Sequence, residues 1–109
     1  MIRVKRGAAF DFTGQLSNAG GPYPLAGCTL ACDVRSVPYF KFVQHMQISV
    51  VDEATSLVRI YAPEADTLKW LAEWHVLDVR LVKPDGKPLI SNTVEFEVLD
   101  PVTEVTNAG

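Results

Sequence analysis

Residues 55–86, TSLVRIYAPEADTLKWLAEWHVLDVRLVKPDG, leave the chain few ways to fold. Val58 and Ile60 alternate with Leu57, Arg59 and Tyr61, the period of a half-buried strand. Pro63 ends that strand and opens a helical turn, with Glu64 and Asp66 at its positive end. Leu68, Leu71 and Ala72 follow at helical spacing, and residues 74–82 return to a β-prone run. In Lys83-Pro-Asp-Gly, Pro84 presets φ and Gly86 supplies positive φ. Strand, helical turn, strand and tight turn in this order imply an antiparallel sheet with one helical connection.

The flanks extend the same pattern. Ile2 and Val4 alternate with Arg3 and Lys5 in a first short strand, which Gly7 breaks. Residues 9–16 form a second, with Phe10 and Phe12 on one face and Asp11 on the other. Three glycines and two prolines make residues 18–27 a loop. Cys28, Leu30, Cys32 and Val34 point inward on the next strand, with Thr29, Asp33 and Arg35 outward. Residues 39–52 are one long β-prone run, bent or bulged partway, with Phe40, Phe42, Met46, Ile48 and Val50 in phase. Residues 90–99 form the last strand, with Val94, Phe96 and Val98 inward, and Asp100-Pro101 stops it.

The sum is about seven strands punctuated by turns, the signature of an all-β, immunoglobulin-like antiparallel β-sandwich with one short helical turn. At 109 residues the chain makes one domain, residues 1–100, with 101–109 expected as a loose tail. Its net charge of −3 argues against nucleic acid, because phosphate binding needs a basic face. No apolar run approaches the roughly 20 residues that span a bilayer, and the opening residues lack the apolar core of a signal peptide. Neither membrane nor export is therefore expected.

The residues that carry chemistry do not assemble into a pattern. Cys28 and Cys32 on one strand would lie about 13 Å apart, too far to bridge. Zinc needs two further ligands, and His45 and His75 lack metal-site spacing, so the thiols are read as free and buried and no metal or cofactor is expected. His75 and Asp78 sit at i and i+3, on opposite faces of a strand, and cannot act as an acid–base pair. No G-x-S-x-G elbow is present. The reading is non-enzymatic, with no catalytic residues.

Several pieces in order resemble the small immunoglobulin-like domains of tailed bacteriophages, of the type at the N-terminus of baseplate upper proteins. These are Val4-Lys-Arg-Gly-Ala-Ala-Phe-Asp-Phe, Pro24-Leu-Ala-Gly-Cys-Thr-Leu-Ala-Cys-Asp-Val-Arg, Trp74-His-Val-Leu-Asp-Val-Arg with the following Pro-Asp-Gly, and Asp100-Pro-Val-Thr. Where that family often has Gly before its aromatic strand, this chain has Ala72-Glu73. The resemblance implies a virion structural module of tail, baseplate or fibre attachment, assembled in the host cytoplasm and joined to other virion proteins or to a second copy of itself. The alternatives are a small sandwich that binds carbohydrate or a host receptor, and a capsid decoration protein.

Two sites follow for such a module. The run around residues 37–46 is apolar in both phases, which leaves Tyr39, Lys41, Val43 and His45 as the expected protein-contact face, the alternatives being that the helical turn around Leu68 and Leu71 folds over it or that a bulge near Gln44 swaps the phases. Core packing is the favoured reading of both tryptophans, with Trp74 covering one end of the core; the alternative for Trp70, in the helical turn, is exposure and stacking on a sugar. The first and last strands are expected side by side, with Arg3 and Lys5 facing Glu95 and Glu97.

Overall fold

The computed structural model describes residues 2–18 and 20–103. Ten strands and one helical turn follow one another among them: β1 (Ile2–Lys5), β2 (Phe10–Gln15), β3 (Ser17–Asn18), β4 (Gly21–Pro22), β5 (Thr29–Ser36), β6 (Lys41–Asp52), β7 (Leu57–Ala62), α1 (Glu64–Thr67), β8 (Trp74–Val82), β9 (Pro88–Ile90) and β10 (Val94–Leu99). The seven longer strands hydrogen-bond in the order β1-β10-β8-β5-β6-β7-β2. Strand β6 makes this order a sandwich. Its first half pairs with β5 through Lys41–Met46 and its second half with β7 through residues 47–52, so the sheet turns over on this one strand. The chain is thus an all-β, immunoglobulin-like sandwich of seven principal strands with a single helical turn.

Alternating apolar positions from both layers meet in the core. Val4, Phe10, Cys32, Val34, Met46, Ile60, Ala62, Trp70, Leu77, Val79, Phe96 and Val98 form one buried cluster. Leu25, Val58 and Leu81 form a second beneath the 18–27 loop. That loop is pinned by Ser56, a buried residue in the left-handed region (φ 54°) whose hydroxyl donates to the Tyr23 carbonyl. At the other corner the buried Thr67 hydroxyl donates to the Ala8 carbonyl at 2.8 Å and accepts from the Gly7 amide at 3.1 Å. This one side chain fastens α1 to the turn between β1 and β2.

The first and last strands are neighbours as expected, but only part of the expected charge match forms: Lys5 stands opposite Leu99 on β10, and Glu95 opposite Val76 on β8. Strands β1 and β10 are neighbours with Arg3 opposite Glu97, and Arg3 Nε lies 3.5 Å from Glu97 Oε1. The two strands run parallel, the exception in an otherwise antiparallel sheet. Val4 and Val98, opposite each other, both point into the core.

Three expectations are corrected. The last strand begins at Val94, not at residue 90, because Pro88–Ile90 folds back on β8 through the Lys83–Lys87 turn and forms its own hairpin strand. The helical turn closes at Thr67, and Leu71 beyond it faces solvent. Along β6 the inward phase is not continuous. Val34 pairs with Gln44 but Arg35 with Phe42, so Val43 is the extra residue of a β-bulge. The bulge turns Phe42 outward and leaves Val43 half-buried against the core. Of the expected loose tail, residues 101–103 carry no helix or strand, and 104–109 lie outside the described residues.

Candidate functional site

Residues 37–40 leave β5 through a cis Val37–Pro38 bond and re-enter at Lys41. The Val37 amide donates to the Trp74 carbonyl at 3.0 Å, which seats the turn on the start of β8. Phe40 adopts φ 52°, a conformation that bulky side chains rarely occupy. Arg35 holds it there, its guanidinium donating to the Phe40 carbonyl at 2.9 Å while lying 5.8 Å from the Phe42 ring centroid.

The outcome is a tip of aromatic side chains in water. Tyr39 is 90% exposed, Phe40 58%, Phe42 43% and Trp74 36%. Val37, Pro38, Phe40, Trp74 and Glu95 line a shallow hollow on one side of it. On the other, Phe42 packs on the His45 ring at 4.9 Å, and His45 Nδ1 meets Asp33 Oδ1 at 2.5 Å. Asp33 also stands directly opposite Asp78 on β8, with Arg35, Phe40 and Thr93 around a small hollow of about 140 Å³. The two carboxylates add to the burial that is the main cause of the rise in the neighbouring Cys32 thiol, pushed up to about 12.

The expected contact residues divide around this tip. Tyr39, Lys41 and His45 are exposed, as a contact requires. Val43 is not, because the bulge turns it toward the core, and the aromatic rings of Phe40 and Phe42 stand outside in its place. Sequence periodicity assigns those two rings to the interior unless a bulge near Gln44 swaps the phases, and the bulge at Val43 does so. For Trp70 the core reading holds and the sugar-stacking alternative fails. It is 2% exposed, in contact with the Phe10, Phe96 and His75 rings, so it offers no face to a sugar. The exposed tryptophan is Trp74, which lines the hollow instead of covering the core.

A second concavity lies at the opposite end of β8. Leu16, Tyr23, Val79, Leu81, Leu89 and Ile90 border an apolar cleft of about 290 Å³. Its walls are the rims of the two buried clusters. Among the described residues no three His, Cys, Asp or Glu side chains come together as a metal site. No helix among them is long and apolar enough to cross a membrane. Cys28 and Cys32 are both free thiols, the first half-exposed and the second buried. His75 is buried and Asp78 lies on the other face of β8, so those two do not meet.

Fold and tip together define a small immunoglobulin-like sandwich that presents aromatic side chains on a β-strand connection. No protein-family model matches the chain, and no curated protein does. Among solved structures the fold is similar to that of CopC from Methylosinus trichosporium OB3b, with a TM-score of 0.53, over 96% of this chain and 91% of that one. The identity is 16%, so the likeness is one of fold. The resemblance to bacteriophage tail and baseplate domains is overturned by these findings. The pieces that carried it, a Gly–aromatic strand start, a Pro-x-Leu-x-Gly and a Pro-Asp-Gly turn, are what sandwich strands and turns require on physical grounds.

Proposed function

We propose that this chain is a non-enzymatic protein-contact module that docks another protein through the aromatic tip formed by Tyr39, Phe40, Phe42 and Trp74. The observation that carries the reading is Phe40. A phenylalanine held at φ 52° by a dedicated arginine hydrogen bond, with most of its ring in water, is a conformational cost with no return in the core. Contiguous exposed aromatic surface of this kind is what protein interfaces use as anchors, since large rigid rings bury much area at little entropic cost. Lys41 and Glu95 at its margin would provide a polar rim.

The carbohydrate-binding alternative loses its principal residue with the burial of Trp70. A photoreactive amino acid placed at position 39 in the producing cell tests the proposal. A discrete adduct with one protein, another chain or a second copy of this one, that is absent when the probe sits at exposed Lys87 supports docking through the tip. Absence of an adduct at position 39, with glycan binding that Tyr39→Ser abolishes, would replace it with ligand binding.

A further inference from the structure

Immediately beneath the tip, His75 sits inside an aromatic cage. Its ring stacks on Trp70 (centroids 5.9 Å apart, planes at 28°) and on Phe96 (5.5 Å, 21°), and Phe10 closes the cluster against both. The residue is fully buried. Its Nδ1 lies 3.0 Å from the Glu73 carbonyl, which also accepts from the Val98 amide at 3.0 Å. A carbonyl only accepts, so Nδ1 carries the proton of a neutral ring and Nε2 carries the lone pair. Among the described residues that buried Nε2 has no hydrogen-bond partner.

We propose that His75 is an acid-operated latch: protonation of Nε2 inside the cage releases the 70–74 corner and, with it, the seat of the 37–40 turn. The added proton would create a buried N–H with no acceptor, on a cation removed from water. The elements around it offer little compensation. The connection after α1 supplies Trp70 and the Glu73 carboxylate, β10 supplies Phe96, and β2 supplies Phe10. Strand β5 supplies Ser36, opposite His75 in register, whose hydroxyl is spent on the Lys41 carbonyl. Glu95 and Glu97, on either side of Phe96, stand on the alternate face of β10. Attraction of an imidazolium to the aromatic faces opposes release, but burial outweighs it together with Glu73 and holds His75 below its ordinary value of 6.5.

The consequence reaches the surface through one residue. Trp74 immediately precedes His75 in sequence, and its carbonyl receives the Val37 amide that seats the aromatic turn. Because the folded-state value is depressed, the unfolded chain binds the extra proton more readily. The stability that neutral His75 confers is therefore full above about pH 6.5 and declines as pH falls below it.

The test follows both histidine rings of the full chain by NMR from about pH 8 to about pH 4, with amide exchange and near-ultraviolet dichroism on the same samples. The expected result is a reversible loss of aromatic dichroism and of protection at residues 36–41 and 70–76 as His75 takes up its proton, while the far-ultraviolet strand signal persists. His45→Gln should behave as wild type, and His75→Phe or His75→Leu should lose the transition. A wild-type ring that accepts its proton with packing and protection intact would overturn the proposal, and so would the same transition in a folded His75 variant. The wild-type titration decides the question should neither variant fold.

Discussion

The indole nitrogen of Trp70 donates to the side-chain oxygen of Gln44 at 2.8 Å, across the gap between the α1 corner and strand β6. The same amide donates through Nε2 to Asp66 Oδ2 at 3.1 Å. Gln44 thus lets a tryptophan enter the core with its one polar atom satisfied. Gln44→Leu should leave the indole N–H buried and unpaired, at a cost of about 1–3 kcal/mol. Denaturant unfolding measures that cost, and the tryptophan emission of the native state should shift with it. A change well below that range would mean the indole finds another acceptor.

Thr67 makes a second such joint. Its hydroxyl serves Ala8 and Gly7 together from a fully buried position. Thr67→Val keeps the shape and removes both bonds, and should destabilise by about 1–3 kcal/mol, with Thr67→Ser milder. Amide exchange at Gly7 should accelerate in the valine variant ahead of the rest of the sheet.

The bulge in β6 predicts an asymmetry between two adjacent residues. Val43→Asp places a charge against the core and should cost about 2 kcal/mol or more. Phe42→Asp changes an exposed ring and should cost less than about 1 kcal/mol. Thermal melts of the two variants measure the difference, and the opposite order would mean that the strand alternates without a bulge.

The thiols should separate by reactivity. Burial holds the Cys32 thiol protonated, up to about 12, so a maleimide at neutral pH should label half-exposed Cys28 first and Cys32 only on unfolding. Cys32→Ser should cost about 1–3 kcal/mol through the buried hydroxyl, with Cys32→Ala milder. Mass spectrometry after timed labelling reads the order directly.

What the sequence by itself determined is the set of strands whose alternation is local. The inward phases of Val4, Phe10, Cys32, Val34, Val58, Ile60, Phe96 and Val98 are legible because a period of two residues encodes a face without reference to any partner. The Pro63 start of α1 and the Lys83–Lys87 turn are legible for the same reason, being fixed by residues within the turn. The pairing of β1 with β10 was legible from matching charge and phase, but its parallel direction was not, since alternation reads alike in both directions. Only the tertiary structure decided the rest. A bulge is set by the register of two strands, so residues 39–52 offer a bulge near Gln44 only as one alternative, and the pairing with β5 decides that Val43 is the extra residue and that Phe42 faces water. Core packing was the expectation for both tryptophans, and it holds for Trp70 alone because burial of an indole depends on an acceptor, here 26 residues away at Gln44, a contact that no local pattern contains. The aromatic tip and the cage around His75 both arise from such long-range contacts, and folding alone brings them together.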